Sequence, residues 1–361
     1  MLRWLILSLF ITLTYGQTHR EAVEHSVHGV TLAERMKELN VAGVSMAVIS
    51  DYKIEWAKGY GLADVEKALP VGTDTLFQAG SISKPVAAVA AMKLVEQGKL
   101  SLDEDVNAKL KSWKVPENEF TRAEKVTLRR ILSHNAGLTV HGFPGYESGV
   151  PIPAVPEILD GKPPANTAAV RVDLIPGTQF RYSGGGYTIA QLLMQDVTGL
   201  PFAAMMRDFV LLKAGMTRST YEQPLPASLS GQAATGYVHE KPVPGRYHTY
   251  PEMAAAGLWS TPSDLARFTI EIGKSMEGRS NRILLRASVD RMLREEQKPY
   301  GLGFALDGTR FAHGGVDEGF QSELMSTRDG HGAVVMTNSD HGGQLAREVI
   351  QVIAAVYQWP K

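Results

Sequence analysis

Ser81-Ile82-Ser83-Lys84 sets a hydroxyl and an amine three residues apart, the spacing at which two side chains share a face of a helix. A serine hydroxyl attacks poorly at neutral pH unless a base lies within hydrogen-bond reach. A helix start adds a positive dipole end, which favours both an unprotonated lysine and a developing alkoxide. The chemistry implied is acyl transfer through an ester on Ser81. The same spacing arises by chance ~1 to 2 times in a chain of this length, and Ser50-Asp51-Tyr52-Lys53 is a second copy. That copy falls between VSMAVIS and KIEWAKGYG, which predict a β-hairpin joined through Asp51 and Tyr52. Its side chains need not converge, and Asp51 would hold Lys53 protonated. Context therefore selects Ser81. Gly80 ahead of it suits a tight entry, and PVAAVAAMKLVEQGKL after it is apolar over a wide face, which predicts a mostly buried helix.

The elements that must position this pair follow from patterning. TLAERMKELN carries a capping box, Thr31 with Glu34, and predicts a first helix, while residues 17 to 28 read as a short polar lead-in. Thr261-Pro262-Ser263-Asp264 marks another helix start, with a capping Thr and Pro at the first helical position. GLGFAL, TRFAHG, GFQSELMST and GAVVMTNS read as strands, followed by a final helix from about Gln344 to Tyr357. Strands at both ends with helices between imply an α/β (α+β) fold. Its antiparallel sheet, flanked by helices, is formed from both chain ends and carries an inserted, mostly helical subdomain. The sheet part spans about 29–80 plus 290–357 and the insertion about 81–289.

Four segments stand in order: FQAGSISKPVAAVAAMKLVEQGKLSLDEDV, LRRILSHNAGL (128–138), FRYSGGGY (180–187) and FAHGGVDEGF (311–320). Together they resemble the serine β-lactamase superfamily over about residues 29–357. The resemblance is to class C β-lactamases and their esterase, D-amino-acid peptidase and penicillin-binding relatives. It implies that Tyr182 shares the base role with Lys84 and passes the proton to the leaving group. It also implies that His313-Gly314-Gly315 lies on the sheet's edge strand beside the substrate, with the N–H groups of Ser81 and Val316 forming an oxyanion hole. Phe143, Tyr146 and Trp259 are candidates for the acyl pocket. One departure matters: where lactamases carry Tyr-x-Asn, this chain has Tyr182-Ser183-Gly184. The proton-transfer groups remain, but the amide that grips a β-lactam side chain is gone, and Gly184 either leaves room in the site or satisfies a positive φ. His134 reads as a loop histidine holding backbone carbonyls, since lysine and tyrosine leave it no catalytic task.

Composition narrows the rest. The chain has 361 residues, 44% hydrophobic, enough for a sizeable core. Lys plus Arg number 37 against 38 acids, so no field points to nucleic acid. There is no cysteine, hence no disulfide, thiol nucleophile or N-terminal lipid attachment. Residues 1–16 read as a secretory signal peptide, with an uncleaved anchor as the alternative, so export to the periplasm or medium is expected, with no stable membrane anchor after cleavage. No Gly-x-Ser-x-Gly elbow and no His-Glu-x-x-His motif occurs, and His25 with His28 lacks further ligands. No metal or cofactor is expected in the site. The reading is a serine hydrolase acting on a small-molecule ester, or on a D-amino-acid peptide or amide. The alternatives are a β-lactamase or D-alanyl-D-alanine carboxypeptidase, and a penicillin sensor acylated without turnover.

Overall fold

The computed structural model describes residues 17–359. The expected signal segment, residues 1–16, lies outside the described residues. Seven strands form one antiparallel sheet: β1 (Gly43–Ser50), β2 (Lys53–Asp64), β3 (Leu69–Pro70), β4 (Ala305–Asp307), β5 (Arg310–Asp317), β6 (Phe320–Thr327) and β7 (Gly332–Thr337), in the order β3-β2-β1-β7-β6-β5-β4. The two chain ends meet at β1 and β7, in register from Val44↔Thr337 to Ile49↔Gly332. An antiparallel sheet with one wet face shows alternating polarity, yet β1 is buried at every position from Gly43 to Ile49. Both of its faces are covered. Val44, Met46 and Val48 enter a core with helices α1 (Leu32–Glu38) and α6 (Gly342–Val356), while Ala47 and Ile49 enter the larger core beneath the insertion.

The expected elements recur with local differences. The β1–β2 turn is made by Asp51 and Tyr52, both at positive φ (49° and 56°), and the Tyr52 hydroxyl donates to Arg328 O at 2.9 Å. The Thr31–Glu34 capping box is present. The lead-in is ordered: residues 17–24 are helical, Val23 and Val27 are fully buried, and Glu24 accepts hydrogen bonds from Lys58 Nζ and the Tyr60 hydroxyl. Ala22, Val23 and Val27 among polar residues carry too little periodicity to predict this. The GLGFAL segment becomes a strand only at Ala305. A Cβ at Gly301 would lie 2.2 Å from Met292 O, and Gly303 takes a φ of +95° against Ala88, so this stretch is a close-packed bend.

Four helices of the insertion matter for the site. They are α2 (Ser83–Glu96), α3 (Gly184–Thr198), α4 (Met253–Ala256) and α5 (Pro262–Met276). Every residue from Val86 to Met92 is at most 1% exposed, so α2 is a central rod rather than an amphipathic surface helix. The Thr261 hydroxyl caps α5 by accepting from Asp264 N, as its start signal requires.

Candidate active site

Ser81 sits in a 3₁₀ turn (Gly80–Ile82) that feeds directly into α2. The turn is braced from several sides. Ser83 Oγ donates to Gly80 O (2.6 Å) and accepts from Leu258 N (3.0 Å), Tyr221 Oη donates to Ser83 O (2.7 Å), and Ala79 N donates to Leu258 O (2.8 Å). Lys84, one turn on, is 1% exposed; its Nζ donates to Ser81 Oγ at 2.7 Å and to Ala255 O at 2.8 Å. That carbonyl is itself placed, because Gln191 on α3 donates to Pro251 O and accepts from Ala254 N at the start of α4. A buried amine with one carbonyl and one hydroxyl for partners is poorly solvated as a cation. Burial lowers the Lys84 pKa to about 7, against an opposing pull from the Asp317 carboxylate.

Tyr182 lies just before α3, whose N-cap Ser183 accepts from Gly186 N. Its ring centre lies 4.9 Å from Lys84 Nζ. Burial pushes the phenol's pKa up, with the nearby Ser81 hydroxyl opposing. His134 stacks on Tyr182 with ring centres 4.2 Å apart, and its Nδ1 accepts from Ser183 N at 3.1 Å. The side chain thus holds a backbone N–H and not a carbonyl. Accepting at Nδ1 makes this a neutral imidazole carrying its proton on Nε2, and burial drives its pKa well below the usual value.

The sheet approaches from the other side. β4 pairs with β5 only over Arg310–Ala312, which leaves the outer edge of β5 from His313 to Asp317 unpaired by strand. The contact between this edge and the Ser81 turn is backbone on backbone. A Cβ at Gly80 (φ +52°) would lie 2.5 Å from Val316 N, and one at Gly315 would lie 2.0 Å from Ala79 O. Only glycine permits that approach, and it brings the N–H-bearing residue Val316 alongside Ser81. His313 Nδ1 lies 2.6 Å from Gly314 O; burial and the Lys84 charge lower its pKa to about 3, so it faces the site as a neutral ring.

A cleft of about 780 Å³ opens over Ser81, lined by His141, Gly142, Phe143, Pro144, Phe180, Tyr182, Tyr300, His313, Gly314 and Val316. Of the residues expected to meet substrate, Phe143, His313 and Gly314 therefore face the cleft. Four others do not. Trp259 is fully buried against Tyr247 and Phe320; Tyr146 is 3% exposed and its hydroxyl takes a hydrogen bond from Asn166 N; Gly315 lies beneath the edge, against Ala79. Gly184 is the first residue of α3, its φ is not left-handed, and a Cβ there would stand 3.0 Å from both His141 O and Phe143 Cε2. The positive-φ reading of Gly184 made from the sequence is overturned. It is small because the cleft's wall packs on it.

His141, Phe180 and Tyr300 escaped sequence reasoning. Phe180 and Tyr300 stack at 5.3 Å, and Tyr300 is edge-on to His134 and His313. Phe180 opens the FRYSGGGY segment, two residues before Tyr182, and so carried a positional signal; Tyr300 lies outside the four motifs and carried none. Two buried acids were also missed. Asp317 follows Val316, Glu252 precedes α4, and none of their four carboxylate oxygens has a hydrogen-bond partner within bonding geometry. Burial raises the Asp317 pKa well above the carboxylate range, against the pull of Lys84, and raises that of Glu252 to about 8. Round Ser81, then, burial pushes each of these ionisable groups toward its neutral form.

Comparison with known proteins agrees with this fold. The Beta-lactamase family profile matches residues 31–358. The putative penicillin-binding protein PbpX of Bacillus subtilis is 24% identical over 89% of this chain and 78% of its own length. Protein flp of Staphylococcus aureus is 25% identical over 62% of this chain, and the match spans only 42% of flp's length. Among solved structures, the octameric penicillin-binding protein homologue from Pyrococcus abyssi superposes with a TM-score of 0.74 at 25% identity, covering 90% of this chain and 76% of that one. The D-alanine carboxypeptidase AmpC from Burkholderia cenocepacia gives 0.70 at 20% identity, covering 93% and 99%. With its sheet closed from both chain ends over an inserted helical part and its motifs in order, the chain carries a serine-hydrolase fold and belongs to the β-lactamase family.

Proposed function

We propose that the protein is a serine hydrolase that forms an acyl-enzyme on Ser81 and acts on uncharged acyl substrates, esters first and small D-amino-acid amides second. The observation that carries the chemistry is the 2.7 Å contact from Lys84 Nζ to Ser81 Oγ in a site buried enough to lower the lysine's pKa to about 7. A base poised near the working pH combines adequate basicity with a large unprotonated fraction. Lys84 therefore takes the Ser81 proton as Oγ attacks the carbonyl carbon, and Ser81 and Val316 N–H groups receive the negative charge on the former carbonyl oxygen. Collapse breaks the bond to the leaving group, which departs as alcohol or amine with a proton relayed through Tyr182. Its raised pKa keeps that phenol protonated, so the proton it passes to the leaving group is replaced by the one Lys84 took from Ser81. Water then attacks the acyl carbon by the same route reversed, returning Ser81. The chain supplies nucleophile, base and oxyanion donors, so this sequence needs no cofactor.

The substrate class rests on the cleft. Its lining is aromatic and imidazole with no lysine or arginine, and His313, at the third-motif position, is a neutral ring. A free carboxylate on the leaving side would find no fixed cation there. This favours esters over substrates ending in a carboxylate, against the carboxypeptidase reading that the AmpC likeness suggests. No helix among the described residues is long and apolar enough to cross a membrane; export rests on residues 1–16. Intact-mass analysis after a fluorophosphonate, a penicillin and a panel of short-chain p-nitrophenyl esters tests the reading. The expected result is a fluorophosphonate adduct on Ser81 and turnover of the esters with little penicillin hydrolysis. An efficient penicillin hydrolase would refute the ester preference. Absence of any adduct on Ser81 would refute the enzyme, and a penicillin adduct that never clears, without ester turnover, would mark a sensor.

A further inference from the structure

Away from the cleft, Tyr237–Val238 and Lys241–Pro242 form a two-stranded hairpin whose turn residues, His239 and Glu240, both take positive φ (48° and 64°). Side chains larger than glycine or asparagine are uncommon there. The turn is held by the segment after β7: His239 N donates to Asp340 Oδ2 at 2.9 Å, and Asp340 N donates to Tyr237 O at 3.0 Å. These contacts bring two imidazoles round one carboxylate. His239 Nδ1 lies 3.4 Å from Asp340 Oδ2, His341 Nε2 lies 3.9 Å from Asp340 Oδ1, and one donor atom from each of the three residues lies within 4.8 Å of the others.

We propose that His239, Asp340 and His341 form a binding site for a divalent transition metal of the zinc type. Zinc bonds of ~2.0–2.1 Å place neighbouring ligand atoms about 3.4 Å apart in a tetrahedron. One pair already has that separation. The others close by rotating exposed imidazoles, since the His239 and His341 side chains are 82% and 54% exposed. Two imidazoles and one carboxylate suit Zn²⁺, Ni²⁺ or Cu²⁺ and not the all-oxygen preference of Mg²⁺ or Ca²⁺, and water completes the shell. His341 is also the N-cap of α6, whose positive end opposes a cation. The Asp340 carboxylate offsets this, and the affinity expected is micromolar rather than that of an enclosed structural site. The consequence is mechanical. Tyr237 N also reaches Gly319 O at 3.4 Å, and a Cβ at Gly319 would lie 2.7 Å from Tyr237 N. A bound ion thus ties the hairpin, and through it the β5–β6 turn, to the start of α6.

Titration of the chelator-treated full chain with ZnCl₂ by calorimetry, and with Co²⁺ by visible absorption, tests the site. The expected result is one saturable ion per chain, a rise in Tm with zinc, and no response to Ca²⁺. His239→Ala, His341→Ala and Asp340→Asn should each weaken binding at least tenfold; the asparagine keeps the acceptor for His239 N, and circular dichroism verifies folding. His25→Ala should bind as the wild type does. No saturable zinc binding, or equal affinity in the wild type and a His239→Ala/His341→Ala double variant, would overturn the proposal.

Discussion

Ser50-x-x-Lys53 and Ser81-x-x-Lys84 share one spacing and end in opposite circumstances. Ser50 and Lys53 are the last paired residues of the β1–β2 hairpin, the lysine side chain is 79% exposed, and its nearest acid is Asp51 at 3.9 Å. Ser81 and Lys84 lie on one face of a buried helix start, 2.7 Å apart, with a carbonyl as the lysine's other partner. The comparison teaches that spacing creates reactivity only where the backbone makes side chains converge and burial strips water from the amine. In the first pair water and a carboxylate stabilise the ammonium; in the second, little does.

The largest effect expected is from Ser81→Ala, which should lower ester turnover by about 10⁴ or more, while Ser50→Ala stays near wild type. Steady-state rates on a p-nitrophenyl ester decide it, and similar losses in the two variants would break the comparison. Lys84→Ala and Tyr182→Phe should each cost ~10² to 10⁴ in kcat, the range for a positioned acid or base. Because the two act as one unit, the double variant should lose less than the product of the single losses; a full product would mean that they work independently. The kcat profile should rise with pH through about 7 as Lys84 gives up its proton.

Two smaller effects sharpen the contrast. Burial favours the neutral Asp317 carboxyl, but its ionised form favours the Lys84 ammonium, so Asp317→Asn should move the acid limb of that profile to lower pH, by about one unit. An unmoved limb would show that the carboxyl stays protonated throughout and that burial alone sets the lysine. Gly184→Asn should cost about 1–3 kcal/mol of stability through overpacking against Phe143 and His141, read as a lowered Tm, with the preference for esters over nitrocefin retained. A tenfold gain on nitrocefin instead would mean that the asparagine reaches the substrate.

The fold and the convergence of Ser81, Lys84 and Tyr182 were legible in the sequence because each leaves a local mark. The Ala-rich run after Ser81, the capping box at Thr31 and the Pro262 helix start are contiguous patterns that decide their own conformation. The cleft was legible only in part. Trp259 and Tyr146 looked like pocket aromatics because the sequence places them in Pro-rich loops, but Trp259 pairs with Gln78 in a short buried ladder, Tyr146 bridges to Thr249, and both are buried. Tyr300 enters the cleft from a segment with no motif, brought there by the bend at Gly301 and Gly303. Gly184 illustrates the same limit. Its spacing from Tyr182 suggested a role toward substrate, whereas its small size answers to Phe143, a contact between segments far apart in the chain.

The backbone contact between Ala79–Gly80 and Gly315–Val316 has a kinetic meaning. Its two sides come from opposite ends of the sequence, and closing so long a loop is among the later, slower events in folding. A chain in which β5 has not yet docked has its serine in the turn before α2 and its lysine on α2, but no second donor for the oxyanion. Acylation of Ser81 by a fluorophosphonate during refolding would therefore lag behind helix formation and report the moment the sheet closes.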